Sequence, residues 1–184
     1  MATFRLRRKP SVWKGVLAGV AGGLAGTLVM TQFQNLWNKA SEKLSDNGSS
    51  KRNEQQGGKE KKGEDATTKV AGKIAHKAGY KLSQAEKKKA GPVVHYGFGT
   101  AMGAAYGIAH EFAPRGMRGM HPLLAGTSYG TALFAGADEV ALPALGLSPA
   151  PQETPASKHL YGLVSHVVYG LTAEMVRRRV RRVL

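Results

Sequence analysis

The chain of 184 residues carries 27 Lys and Arg against 12 Asp and Glu, a formal net charge of +15, and no cysteine. The missing thiols exclude disulfides, zinc–thiolate sites and thiol catalysis. Taken whole, the charge suggests a nucleic-acid binder, but it is segregated: 14 of the basic residues lie in 38–91 and five in the last eight positions.

Four apolar stretches are near the ~20 residues that a helix needs to cross a bilayer. The first, Val12–Trp37, is bracketed by the only two tryptophans, Trp13 and Trp37, placed like interfacial anchors roughly 36 Å apart at ~1.5 Å per residue. The basic start (Arg5, Arg7, Arg8, Lys9) imitates a secretory signal. The run is longer than a signal's apolar core and lacks a small-x-small cleavage site, so an uncleaved spanning helix is expected. Residues 45–65 are low-complexity and expected to be disordered. Over 66–90 an amphipathic stretch follows, with Val70, Ile74, Ala78 and Leu82 every fourth residue beside a stripe of Lys69, Lys73, Lys77 and Lys81. This pattern suits a helix lying on a membrane surface with lysines toward anionic headgroups, or a plainly solvated helix. Ser83-Gln84-Ala85-Glu86 matches a capping box that restarts the helix before the second span. That span is Pro92–Phe112, with Pro92 suited to its first turn and Pro114 just beyond its end. The third runs from about Met120 to Leu142, and the fourth from about Ala156 to Val176, ending in Arg177, Arg178 and Arg179. The expected organisation is a first helix within 1–37, a Lys-rich loop over 38–91 and three further helices within 92–184.

These spans are rich in Gly and Ala rather than Leu, and the glycines are periodic. Gly15, Gly19 and Gly23 recur every fourth residue, as do Gly22 and Gly26, Gly99, Gly103 and Gly107, and Gly126 and Gly130. Spacing of four puts small residues on one helix face, where two backbones can approach closely in lipid. A soluble helical bundle is the rival, but its helices would show a polar face at period 3.6 and fewer glycines. An internal repeat is also visible. A shift of 63 lays Gly99, Gly103, Gly107 and Glu111 over Gly162, His166, Gly170 and Glu174, with Tyr106-Gly107 on Tyr169-Gly170. A shift of 107 lays Leu17-Ala18-Gly19 over Leu124-Ala125-Gly126. The expected fold is therefore an all-α membrane protein of four transmembrane helices, built as two related hairpins inserted in the same orientation. The Lys-rich loop and the amphipathic helix lie between helices 1 and 2.

His95-Tyr-Gly-Phe98 with Tyr106, Glu111 and Pro114, then Pro143–Pro149, then His166 with Glu174 and Arg177-Arg178, resemble the YagU-like bacterial inner-membrane proteins, a family of unknown function. The resemblance covers about half the chain, from Leu82 onward, and implies a multi-pass inner-membrane location without an activity.

Ionisable groups inside a span are costly and are functional candidates by default. Toward the long loop lie His95, Asp138, Glu139 and His159, with His166 near mid-span. Imidazole with carboxylate suits a first-row metal or a proton relay, while the simpler alternative is polar residues that cap helices and pair at the water interface. Toward the other end, Glu111 and Glu174 are expected to neutralise Arg115, Arg177 and Arg178 across helix ends. No cofactor motif, nucleophile elbow or Walker sequence occurs, so no enzyme activity and no cofactor are expected. The first expectation is a structural or envelope-associated membrane protein, with a homo-oligomer as its expected partner arrangement. The second is a small proton, ion or solute transporter or channel using His95, Asp138, Glu139, His159 and His166. Nucleic acid ranks last as a partner. Near the spans, basic residues on the side of the termini outnumber those opposite by twelve to ten. The compact arginine clusters point to cytoplasmic termini.

Overall fold

The computed structural model describes residues 9–48 and 66–184, and every regular element among them is helical. Arg5, Arg7 and Arg8 and positions 49–65 of the low-complexity stretch lie outside the described residues. Helix α1 spans Val12–Gly48, α2 Ala66–Lys77, α3 Gln84–Phe112, α4 the single turn Arg115–Arg118, and α5 Pro122–Leu133. A π-helical segment, Phe134–Ala141, carries α5 into the short α6, Leu142–Ala144. A 3-10 turn, Pro151–Glu153, precedes α7, Ala156–Val183.

The long helices overrun the apolar stretches. α1 continues past Trp37 through Lys39, Ala40, Glu42 and Lys43, all good helix formers that need no apolar surroundings. α3 begins well before Pro92: Ser83 Oγ accepts the Glu86 N–H at 3.3 Å, and the Glu86 carboxylate accepts the Ser83 N–H at 2.8 Å. Pro92 thus lies inside the helix rather than in its first turn, on an exposed face. α7 runs on through the arginine cluster to Val183.

The amphipathic stretch behaves differently from its pattern. α2 stops at Lys77 because Gly79 turns left-handed (φ 86°) and the Tyr80 N–H closes on the Ala75 carbonyl at 2.9 Å. Ala78 and Leu82 therefore do not continue the face of Val70 and Ile74. The buried face is instead Thr68 and Ala71, docked on α3 where Gly91 leaves room for Thr68, while Ile74 is exposed. Lys73 donates to the Leu145 carbonyl at 2.7 Å and ties α2 to the turn after α6.

Two antiparallel helical pairs, α1 with α3 and α5 with α7, pack through glycine. In α1 and α3, a methyl group on Gly103 would stand 2.5 Å from Gly23 Cα, and one on Gly19 would stand 2.8 Å from Ala104 Cα. The same backbone contact recurs between α5 and α7, where a methyl on Gly130 would meet Val167 Cα at 2.9 Å and one on Gly170 would meet Gly130 Cα at 2.8 Å. Gly15 faces Gly107 as Gly126 faces Gly170, and Gly19 faces Gly103 as Gly130 faces His166. The two hairpins are thus equivalent with the 63-residue shift intact, but Gly126 corresponds to Gly15. The 107-residue alignment on Gly19 is one helical turn out of register.

The hairpins join through α1 and α7, where Gly22 meets Ala173 and Gly26 meets Tyr169. On the other side, α3 and α5 are held apart by rings: Tyr106 stacks on Tyr129 at 4.0 Å, and Tyr129 lies 5.9 Å from Tyr169. The Tyr169 hydroxyl donates to the Gly99 carbonyl at 2.6 Å across the centre. All helix directions follow: α1 and α5 run one way, α3 and α7 the other, so the N-terminus of α1, the α3–α5 connection and the C-terminus of α7 share one end. Among the described residues, α1 over Val12–Lys43 is the one helix long and apolar enough to cross a membrane by itself. α3 and α7 carry charged ends, and the π turn shortens α5.

Candidate functional site

The end that holds both termini is built by the last turns of α7. Glu174, Arg177, Arg178 and Arg181 fall at spacings of three, four and seven and so share one helix face. Glu174 is fully buried and accepts from Arg177 through Nε at 2.7 Å and Nη2 at 3.0 Å, and also from Arg178 Nε. Arg178 Nη2 reaches the Met120 carbonyl at 2.6 Å, and the Arg177 guanidinium lies over the Tyr106 ring at 5.5 Å. Glu111, the repeat counterpart of Glu174, accepts from Arg181 Nη2 at 2.9 Å and from the Ser11 N–H at 3.0 Å. Lys14 Nζ donates to the Leu184 carbonyl, fastening the start of α1 to the end of α7.

These groups wall a cavity of about 240 Å³. Its arginines are Arg118, Arg177, Arg178, Arg181 and Arg182, joined by His110 and Glu111. Of the residues expected to pair at helix ends, Glu174 meets Arg177 and Arg178, while Glu111 meets Arg181 instead. Arg115 is exposed on α4 and stands outside both pairs. Arg181, a member of the C-terminal arginine cluster, is the specific partner of Glu111, and its seven-residue distance from Glu174 puts it on the same face.

At the opposite end the π-helical segment turns Asp138 and Glu139 toward α7. His159 Nδ1 lies 2.7 Å from Glu139, and its Nε2 faces the Pro151 and Thr154 carbonyls at 3.0 and 3.2 Å. Both ring nitrogens face acceptors, an arrangement that an imidazolium satisfies. Two helical turns further along the same face of α7, buried His166 donates from Nδ1 to the Gly162 carbonyl at 2.9 Å and stands 3.6 Å from Asp138. His95 sits on α3 with its ring edge-on to Tyr96. The five polar candidates thus give two pairs, His159–Glu139 and His166–Asp138, rather than one centre. Among the described residues, no three His, Asp or Glu side chains converge to hold a metal ion. None of the five lines the arginine cavity.

A family model described as "Protein of unknown function (DUF1440)" matches residues 65–175. No curated protein and no solved structure matches the chain. The matched segment runs from α2 to just past Glu174. It includes both histidine–carboxylate pairs, Glu111 and Glu174, and leaves α1 and Arg177–Arg182 outside it.

Proposed function

The chain belongs to the DUF1440 family of proteins of unknown function, and on that premise we propose that it is a multi-pass integral membrane protein. In this reading α1, α3, α5 with its π-helical extension, and α7 cross the bilayer as two related hairpins. One observation carries it: the packing is inverted relative to a protein folded in water. The interior contacts are made by Gly15, Ala18, Gly19, Gly22, Gly23, Gly26 and Thr27, whereas Leu17, Leu24 and Leu28 on the same helix point outward, each about half exposed. Trp13, Val93, Leu123, Leu124 and Leu160 are likewise exposed. A water-soluble bundle gains ~1.5–3 kcal/mol by burying each large apolar side chain and would place them the other way round. In lipid the outward leucines cost nothing, and close backbone packing supplies the association.

The narrower kinship with YagU-like proteins, the bacterial inner membrane and cytoplasmic termini belong to this proposal. So does a structural or envelope-associated role, without enzymatic chemistry, in contact with anionic headgroups through the Lys/Arg segments. Alkaline carbonate washing should leave the protein in the membrane pellet; release into the supernatant would overturn the reading. Because the chain has no cysteine, single cysteines introduced at Gly116 and Glu153 report topology directly. A membrane-impermeant maleimide should label Glu153→Cys from the periplasmic side, and Gly116→Cys only in inverted vesicles. Labelling of both from one side would contradict four spans.

The two histidine–carboxylate pairs favour one second reading, a small proton, ion or solute transporter. His166 is the buried member, the other three being partly exposed, and ionisable pairs beside a π-helical segment are a recurrent feature of functional sites. Proton flux in reconstituted vesicles decides between scaffold and transporter.

A further inference from the structure

We propose that the arginine cavity at the terminal end of α3 and α7 is a binding site for a phosphate group, held chiefly by Arg118, Arg178 and Arg182 with His110. The inference rests on the membrane reading only for the source of the phosphate, a lipid headgroup or the free anion.

Charge is the first ground. Five guanidinium groups wall about 240 Å³, against one carboxylate on the wall, Glu111, and a second behind it, Glu174. The excess of positive charge packed in one place repels itself, and a bound anion relieves that repulsion. A multivalent anion relieves more of it than a carboxylate does, which favours phosphate.

Preorganisation is the second. A cationic patch that merely faced solvent would splay its long side chains into water. Here Arg177 is almost fully buried, clamped by two hydrogen bonds to Glu174 and stacked on Tyr106. Arg178 is pinned between Glu174 and the Met120 carbonyl. Each guanidinium carries five N–H donors, and these contacts use two on Arg177 and two on Arg178, so donors remain for a ligand. Because Arg177 and Arg178 are already ordered, their part in binding an anion costs little further entropy, while Arg118 and Arg182 are exposed at the same cavity.

An unmet polar atom is the third. His110 Nε2 is buried in the cavity wall and has no hydrogen-bond partner. Such an atom is costly unless something bonds it, and a phosphate oxygen, protonated or not, can meet it as donor or acceptor. The volume is below the range of drug-sized sites and suits a small anionic head rather than an extended molecule.

The test uses the full chain purified in neutral detergent, with thermal unfolding followed at constant ionic strength. Inorganic phosphate and short-chain phosphatidic acid are titrated separately, with phosphatidylcholine as the neutral comparison. Wild type should be stabilised saturably by one or both phosphate probes and not by phosphatidylcholine. The Arg118→Gln/Arg182→Gln variant should bind about tenfold more weakly. Arg115→Gln, which changes an exposed arginine outside the cavity, should bind as wild type. His110→Gln gives a third, charge-neutral variant that should also weaken binding. Stabilisation by phosphatidic acid alone assigns the site to a lipid head, and stabilisation by inorganic phosphate at comparable concentration assigns it to the free anion. No saturable response to either probe overturns the proposal, as does an equal loss in Arg115→Gln. Carbonate extraction is scored independently: a protein that pellets but ignores phosphate refutes the cavity and keeps the membrane reading, and the reverse result refutes only the membrane reading.

Discussion

Adding one methyl group to α3 should have opposite consequences at two positions only six residues apart. At Gly103 the new carbon would stand 2.5 Å from Gly23 Cα and 2.7 Å from Gly23 N. Ordinary carbon contacts lie near ~3.5–4.0 Å. The obstacles are backbone atoms of α1, which no rotamer change can clear, so Gly103→Ala forces the two helices apart by about 1 Å. Overpacking of this kind costs ~1–3 kcal/mol, and a gap of 0.5–1 Å already forfeits about a quarter to a half of each dispersion contact along the seam. At Gly97 the same methyl meets nothing within 4 Å, so Gly97→Ala should be neutral, or stabilising by up to ~1 kcal/mol through lower backbone entropy in the unfolded chain. Thermal unfolding of the two variants in one detergent is the assay. We expect Gly103→Ala to lower the midpoint by roughly 4–8 °C, taking ~2 kcal/mol and ~2–4 °C per kcal/mol for a chain of this size. Gly97→Ala should be no lower than wild type. Equal midpoints for the two variants would refute the α1–α3 backbone contact.

Three further predictions follow from the other contacts. Glu174→Gln leaves Arg177 and Arg178 without their buried counter-charge and should cost about 3 kcal/mol or more; Glu111→Gln, nearer the surface, should cost less, and an inverted order in thermal unfolding would contradict the burial of Glu174. His166→Gly restores the glycine that the repeat expects and should keep the fold with a loss of about 1 kcal/mol, leaving vesicle proton flux unchanged; lost flux with intact folding would favour transport. The hydrogen bonds from Ser83 hold the Glu86 carboxyl below its ordinary value of 4.5. Its contribution to the start of α3 is therefore complete at neutral pH and disappears as pH falls from about that value through the lower folded-state pKa. Amide protection at Glu86 and Lys87, corrected for intrinsic exchange, should fall over that acid range in wild type and stay flat in Glu86→Gln.

The helices were legible in the sequence wherever glycine recurred every fourth residue, because that spacing has no other common use in an apolar stretch. Their ends were not. Apolar runs mark where lipid would be, whereas helix continues through any residues that tolerate it, as Asn38–Lys43 and Arg177–Arg182 do. The repeat register slipped by one turn for a related reason: Gly15, Gly19 and Gly23 are interchangeable in sequence, and only the partner atoms distinguish them. The lysine stripe of 66–90 concealed a break at Gly79, where one left-handed residue outweighs a continuing pattern. At the site, Glu111, Glu174, Arg177 and Arg178 could be chosen by type and position. The pairing of Arg181 with Glu111 joins residues 70 apart in the chain, and the π turn that aims Asp138 and Glu139 at α7 has no sequence signature.

The two lateral seams of the bundle differ in stiffness. Along α1 and α7, Gly22 rests nearly on the Ala173 backbone and Gly26 on the carbonyl and ring of Tyr169, so sliding is blocked at both positions. Along α3 and α5, a stacked pair of tyrosine rings is the contact, and flat rings shear past one another with little penalty. The molecule is in this sense bound like a book, with α1 and α7 as its spine and the tyrosine seam as its free edge. The arginine cavity draws its wall from both the spine, through α7, and a free cover, through His110 and Glu111 of α3. Any opening of the covers therefore changes the distance between those walls as well as parting the tyrosine seam.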